Sequence, residues 1–234
     1  MGKRSSGVFL VIFLVLLILP TSNAIDFEKE PLLWNYEVGS TIWSVSMSED
    51  GKYVAAGTFE STGDVGSRNP TLFFFDSEGS LLWAYSTRET IWSVDVSSDG
   101  KYIVAGSKDK KIYFLDYKGS LLWSYTTGDS VWSVSMSEDG KYVAAGSYDS
   151  NVYFFDTGGK LLWKYKTNDI VLSTSISEDG KYVAAGSYDS NVYFFDTGGK
   201  LLWKYKTNDI VLSTSISEDG KYVAAGSYDS NVYF

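Results

Sequence analysis

The feature that most constrains how this 234-residue chain folds is an internal repeat. Residues 141–180 and 181–220 are the same forty letters, KYVAAGSYDSNVYFFDTGGKLLWKYKTNDIVLSTSISEDG, and residues 221–234 begin a third copy. Diverged copies precede them, marked by tryptophans forty residues apart: Trp83, Trp123, Trp163 and Trp203. Trp34 lies forty-nine residues before Trp83, so the first copy carries an insertion. A fixed period of this length predicts a repeat architecture.

Each copy divides into four short runs. The first is LLWxY, and the second alternates, as in 131–137, where Trp132, Val134 and Met136 are expected on one side and serines on the other. Period two over six residues predicts a strand. The third run, KYVAAGS, follows Asp-Gly, which favours a tight hairpin because glycine accepts positive φ. The fourth run, NVYFFD or a variant of it, is aromatic and β-branched, as strands are.

Four strands per forty residues predict an all-β fold, a β-propeller of four-stranded antiparallel blades. Counting from Leu32 gives twenty strands and about five blades. If the outer strand Leu32 to Tyr36 pairs beside Asn231 to Phe234, the ring closes with five blades. Because the last copy stops in mid-strand at Phe234, a fragment of a larger ring is the alternative.

The first 24 residues have the pattern of a signal peptide. Lys3 and Arg4 precede an apolar run at 8–19, which is too short to span a bilayer, and Ser22-Asn23-Ala24 has the small-x-small spacing of a cleavage site. The alternative is an uncleaved anchor formed by residues 8–19, the one expected membrane contact. We predict a signal peptide at 1–24, a short linker at 25–31, the propeller at 32–234, and a secreted or extracytoplasmic location.

Composition excludes several functions. The chain has no cysteine and no histidine, so it lacks thiolate chemistry, disulfides and the commonest metal ligand and general base. Its net charge is −9, and removing Lys3 and Arg4 leaves 18 basic against 29 acidic residues, or −11. Such a surface repels phosphate backbones, so nucleic acid is not expected as a partner. No cofactor or metal is expected either.

Residues that recur in every copy are expected to serve the fold. Aspartates at the end of the fourth run are predicted to cap turn amides: Asp76, Asp116, Asp156 and Asp196. Glycines inside the third run are predicted to mark bulges or close backbone approach: Gly57, Gly106, Gly146, Gly186 and Gly226.

Residues 131–156, VWSVSMSEDGKYVAAGSYDSNVYFFD, resemble the WD-repeat pattern, and residues 153–163, YFFDTGGKLLW, resemble the blade motif of quinoprotein-type propellers. The resemblance runs from about residue 32 to the end. It implies the propeller fold and a general binding role. It carries over no catalytic residue, because the family's Gly-His pair is missing, its Trp-Asp is Phe155-Asp156 here, and cofactor-capping cysteines are absent.

Candidate binding residues lie where repetition fails. The insertion Phe59 to Pro70, FESTGDVGSRNP, is a long loop, and long loops on repeat scaffolds gather on the binding face. WD-type topology would put the loops joining the first and second runs on the same face. The predicted set there is Phe59, Asp64, Arg68, Arg88, Glu89, Asp129, Asn168 and Asp169.

Three tryptophans form the second candidate. Trp43, Trp92 and Trp132 begin the second run, the innermost strand, and Leu172 and Leu212 take their places in the last two copies. Packing between blades would explain them. If they are exposed at the mouth of the axial channel, they suit a sugar, peptide or cationic ligand.

The leading functional hypothesis is a non-catalytic extracytoplasmic scaffold that binds a protein or carbohydrate partner. The alternatives are an enzyme, either a quinoprotein-like oxidoreductase or a carboxylate-based hydrolase, and a repeat module of a larger cell-surface or adhesive protein. The repeat style is similar to that of secreted archaeal surface proteins.

Overall fold

The computed structural model describes residues 32–59 and 69–234, and its regular structure there is entirely β. Blade 1 is β1 Ile42–Met47, β2 Tyr53–Thr58, β3 Leu72–Asp76 and β4 Leu81–Tyr85. Blade 2 is β5 Ile91–Val96, β6 Tyr102–Ser107, β7 Lys111–Asp116 and β8 Leu121–Thr126. Blade 3 is β9 Val131–Met136, β10 Tyr142–Ser147, β11 Asn151–Asp156 and β12 Leu161–Lys166. Blade 4 is β13 Val171–Ile176, β14 Tyr182–Ser187, β15 Asn191–Asp196 and β16 Leu201–Lys206. Blade 5 is β17 Val211–Ile216, β18 Val223–Ser227 and β19 Val232–Tyr233.

The predicted all-β architecture of about five blades is confirmed. Each of the first four blades is a four-stranded antiparallel sheet in chain order, and blade 5 has three strands. The predicted signal peptide at 1–24, the anchor at 8–19 and the linker at 25–31 lie outside the described residues. In the described part of the chain, no helix has the length and apolar character needed to cross a membrane.

The core lies between neighbouring blades. In blade 2, Trp123 of the outer strand stacks on Phe114 with ring centroids 4.9 Å apart and planes 9° apart. Its indole Nε1 donates a hydrogen bond of 2.8 Å to the carbonyl of Thr157, which belongs to blade 3. Trp83 and Trp163 make the same bond to the next blade, to Tyr117 and Thr197. One side chain per repeat thus both fills a blade and joins it to its neighbour.

A ladder of serine hydroxyls links the innermost strands. An inner strand is a sheet edge, so alternate backbone N–H groups have no partner in their own sheet. Ser133 of β9 accepts the N–H of Thr174 in β13 at 2.9 Å, and Ser135 accepts that of Ile176 at 3.1 Å. This explains the serine side of the alternating run: these hydroxyls accept hydrogen bonds from backbone N–H groups at the edge of the following blade. In blade 2 the same position holds Asp95, which accepts the N–H of Met136 at 2.8 Å.

A β-bulge modifies the predicted alternation. The pairing of β9 with β10 shifts between Val131 and Ser133, so Trp132 is the extra residue. Val131 is fully buried beside Val134 and Met136, whereas Trp132 is only half-buried. The prediction that Trp132 shares the side of Val134 and Met136 is therefore wrong, because bulges re-aim a side chain.

The predictions for recurrent glycine and aspartate are confirmed. A Cβ added at Gly146 would lie 2.7 Å from Val171 Cγ1 of the next blade, so glycine is needed there for close approach. The Asp76 carboxylate accepts the N–H groups of Glu78 and Ser80 at 3.0 and 2.8 Å, which caps the turn as expected.

The blades are not closed into a ring. The β1 face that would meet a further blade stays open: Val45 is 64% exposed, whereas its counterpart Val94 is 5% exposed. The predicted strand at Leu32 to Tyr36 is wrong, because these residues pair with no strand and β19 pairs with β18 alone. Trp34 and Tyr36 instead pack on Phe75, with ring centroids 5.5 and 5.0 Å away. The predicted closed five-bladed ring is therefore not formed.

Candidate functional site

Two sets of loops define what we call the upper face. They are the loops from an outer strand to the next inner strand, and the loops from the second to the third strand of a blade. Hydrogen bonds join them: the N–H of Gly128 donates to Asp149 Oδ2 at 2.7 Å, and that of Asn168 to Asp189 Oδ2 at 3.0 Å. These bonds place the two sets of described loops side by side at one end of the inner strands. The Ser-x-Asp-Gly turns lie at the opposite ends of the inner strands and define the lower face.

An aspartate-centred network supports each upper loop. Asp149 accepts the Tyr153 hydroxyl, at 2.5 Å, and the backbone and side-chain N–H groups of Asn151, both at 3.0 Å. Desolvation alone would raise the pKa of Asp149, but the bonds from Tyr153 and Asn151 outweigh it and lower that pKa. Desolvation and the nearby Asp149 carboxylate raise the pKa of Tyr153. A tyrosine and an aspartate thus hold the loop without any histidine.

Phe59 lies on this upper face. Its N–H donates to the carbonyl of Thr41 at 2.8 Å, just before β1, and its side chain is exposed. Asp64 and Arg68, predicted beside it, lie outside the described residues.

The charged residues predicted on this face differ in their partners. Glu89 forms an ion pair with Lys108 at 3.2 Å, and Asp129 with Lys110 at 3.6 Å. Asp169 accepts the N–H of Ile170 at 2.8 Å and has no cationic partner in the described structure. Arg88 donates its backbone N–H to Asp109 at 3.4 Å.

The three predicted tryptophans form one row across blades 1 to 3. The Trp43 and Trp92 rings are 5.0 Å apart in an edge-to-face arrangement, and the Trp92 and Trp132 rings are 4.8 Å apart. Trp132 also contacts Tyr148 at 5.4 Å. Trp43 is 52% exposed, and the other two are half-buried. These tryptophans therefore pack across blades, and they lie at the upper end of the inner strands.

A second position on the upper face is aromatic in four of the five blades, and only its first member, Phe59, is predicted from the sequence as a binding residue. The first residue after the second strand of each blade pairs its N–H with the residue before the inner strand, which puts it beside the tryptophan row. These residues are Phe59, Lys108, Tyr148, Tyr188 and Tyr228. The sequence carries a signal for this position, since it varies among the diverged copies, but its tyrosine recurs unchanged in the last three copies, as scaffold residues do. We call the tryptophan row and these five residues the upper rim.

The lower face is built differently. In each turn the serine hydroxyl donates to the aspartate and the lysine Nζ pairs with it, as in Ser137, Asp139 and Lys141, at 2.9 and 2.6 Å. Neighbouring turns are joined, since the N–H of Glu138 donates to the carbonyl of Glu178 at 3.2 Å. The glutamates and aspartates of blades 3 to 5 line a shallow cavity of about 400 Å³. Desolvation, followed by the charges of Glu218 and Glu138, raises the pKa of Glu178.

Comparison with known proteins supports the fold. The family model described as the lambda-carrageenase beta-propeller domain matches residues 66–162 and 129–202, which together cover more than half of the chain. The model of the WD domain, G-beta repeat, matches residues 199–234. A search of curated proteins finds no match to the chain. Within residues 32–59 and 69–234, no three acidic side chains are grouped so as to hold a metal ion.

Proposed function

Because this chain belongs to a WD-repeat-like, carrageenase-type family of β-propellers, we propose that it is a non-catalytic scaffold that binds a protein or carbohydrate partner on its upper rim. WD-repeat propellers generally serve as interaction scaffolds. The observation that carries the proposal is the continuous row of Trp43, Trp92, Trp132 and Tyr148 beside charged loops, in which Trp43 and Tyr148 are exposed and the other two rings are half-buried. Aromatic side chains with polar neighbours are typical of binding surfaces.

The blades give such a surface rigidity. The rim residues stand on inner strands joined by serine hydroxyls and on loops held by half-buried aspartate networks. A partner that contacts several blades therefore meets groups already in place, and little ordering cost opposes binding. Contacts that are weak one by one add up across the rim.

A non-catalytic role fits the chemistry of the upper loops. Glu89 and Asp129 are occupied by lysines, and Asp149 and Asp189 are occupied by turn and tyrosine hydrogen bonds. The sequence has no histidine or cysteine to act as a base or nucleophile. An extracytoplasmic location is part of the proposal and rests on the sequence pattern of residues 1–24.

A carbohydrate partner has one specific observation in its favour, the match to a propeller domain of an enzyme named for a polysaccharide. Indole rings also provide flat apolar surfaces on which sugar rings stack. Protein and carbohydrate partners are distinguished by the experiment below.

The test is to screen the chain on peptide and glycan arrays beside a Trp43→Ala, Trp132→Ala double variant. The matched control is Trp203→Ala, which removes an exposed tryptophan from the outer strand of blade 4, away from the rim. We expect array ligands to lose about tenfold or more in affinity for the rim variant and to bind the control normally. If every ligand bound the rim variant as tightly as the wild type, the rim would not be the binding face.

A further inference from the structure

The upper rim repeats a pair of an aromatic ring and a carboxylate. Three blades carry a tyrosine at the first position after the second strand and an aspartate in the loop before the inner strand. The pairs are Tyr148 with Asp129, Tyr188 with Asp169, and Tyr228 with Asp209. Backbone and hydroxyl bonds hold each pair in one loop cluster: the N–H of Tyr188 donates to the Ile170 carbonyl, and Ser187 Oγ donates to that of Asp169.

Blade 2 shows what these carboxylates accept. There the position of the tyrosine is held by Lys108, and its Nζ pairs with Glu89, the carboxylate of that blade, at 3.2 Å. Lys110, two residues further on, pairs with Asp129 of blade 3 at 3.6 Å. The chain therefore neutralises the first two rim carboxylates with its own lysines.

Blades 4 and 5 lack these cations. The counterparts of Lys110 are Ser150 and Ser190, and the counterparts of Lys108 are Tyr188 and Tyr228. Within the residues that the structure describes, the side-chain carboxylates of Asp169 and Asp209 each accept only the N–H of the following isoleucine, at 2.8 Å. Two half-exposed carboxylates at this end of the rim thus have no counter-charge among the described residues.

The change from tryptophan to leucine frees the neighbouring rings. In blade 3, Tyr148 packs on Trp132 and is 39% exposed. Blades 4 and 5 have Leu172 and Leu212 instead. Tyr188 and Tyr228 accordingly make no ring contact in the described part of the chain and are 48% and 68% exposed. An open tyrosine face beside an unpaired carboxylate attracts a cation through both groups.

From these observations we propose that the rim of blades 4 and 5 binds a basic polypeptide, with successive lysine or arginine side chains each placed between the tyrosine and the aspartate of one blade. The inference rests on the proposed function, since it names the partner of the same rim. The net charge of −9 favours approach of a cationic partner, and the repeat offers the same pair twice.

The experiment uses a fluorescein-labelled peptide of alternating arginine and glycine, measured by fluorescence anisotropy. We expect an Asp169→Asn, Asp209→Asn variant to bind at least about tenfold more weakly, because two charge-assisted contacts are lost. The matched control, Glu178→Gln, Glu218→Gln, removes two charges from the lower face of the same blades. We expect that control to stay within about twofold of the wild type.

Exchanging residues between blades gives a second readout that misfolding cannot imitate. Tyr188→Lys copies the arrangement of blade 2 into blade 4, and we expect weaker binding because the new lysine occupies Asp169. Lys108→Tyr does the reverse, and we expect severalfold tighter binding because Glu89 becomes free.

Equal losses in the upper and lower variants would overturn the inference, since binding would then be general charge attraction. Failure of the arginine peptide to bind would also overturn it. If a neutral glycan or an uncharged peptide still bound and required Trp43 and Trp132, the proposed scaffold function would stand while this inference failed. If no ligand depended on the rim, both would fail.

Discussion

The two ends of the inner strands come from one repeat, yet they differ in what they keep constant. On the lower face the Ser-x-Asp-Gly turn recurs in all five blades, with the same lysine pair each time. On the upper rim the corresponding positions change from tryptophan to leucine and from phenylalanine to lysine to tyrosine. The repeated groups therefore hold the fold, whereas the varied groups are available for a partner.

The largest expected effect is at Asp149, a carboxylate that holds an upper loop in place. We call the groups that hold the fold in this way the framework. Asp149 accepts bonds from Tyr153, Asn151 and Gly128, so Asp149→Ala leaves several partners unsatisfied. We expect a loss of about 3 kcal/mol in the free energy of unfolding at neutral pH, measured by denaturant titration. Because the folded-state pKa lies below its ordinary value of 3.8, this stabilisation is present above pH 3.8 and is lost as the pH falls through the folded pKa.

The matched control for Asp149 is Asp169→Asn on the same face, which should leave stability within about 0.5 kcal/mol of the wild type. If the two variants were equally destabilised, the distinction between framework and rim carboxylates would be lost.

The next effect concerns the lower turn. Gly140 has φ of 68°, and a Cβ there would lie 2.7 Å from the Tyr102 ring of the preceding blade. Gly140→Ala should therefore cost about 2 kcal/mol or more in thermal or chemical unfolding. Gly158→Ala is the control, since other copies hold Glu78 or Lys118 at that place. A tolerated Gly140→Ala would show that the lower turn is not part of the framework.

A smaller effect of opposite sign is expected at Asp95, the single acidic residue in the serine ladder of the described inner strands. Burial raises its pKa, although the bonds from Met136, Ser46 and Val96 oppose that shift. Because the pKa of Asp95 is raised in the folded state, its contribution to the free energy of unfolding is fully present below the pKa of the unfolded state. That contribution is lost as the pH rises through the folded-state pKa.

Asp95→Ser restores the residue found at Ser135 and should raise the free energy of unfolding at pH 7, because it removes a buried carboxylate. Melting temperatures measured from pH 7 down to pH 4 should show this gain shrinking as Asp95 becomes protonated. A gain that was absent at pH 7, or that grew on acidification, would contradict the assignment.

The period alone predicted most of the fold. Strand order, the Asp-Gly turns, the Asp76 cap and the close approach at Gly146 all followed from residues that recur, because a repeated residue answers a repeated local need. The bulge at Trp132 was missed, since alternation of letters does not reveal an extra residue in one strand. The strand predicted at Leu32 to Tyr36 does not form, because pairing depends on which other strand lies close enough, and a sequence pattern does not show this.

The site was predictable in part. The convergence of the upper loops and the tryptophan row followed from strand order and position. The exposed rings of Tyr188 and Tyr228 could not be predicted in this way, because these residues stand in repeated copies like Tyr148. They differ from Tyr148 only in a neighbour from another run, which is leucine in place of tryptophan. Pairing of Glu89 with Lys108 likewise joins residues nineteen apart, which spacing alone does not indicate.

Amide hydrogen exchange of the chain with and without the alternating arginine and glycine peptide shows which face binds basic side chains. If they bind at the upper rim, exchange slows in the upper loops at 167–170 and 188–190, with no change in the lower turns at 137–141 and 177–181. Protection centred on the lower turns, or spread equally over both faces, would contradict binding at the upper rim.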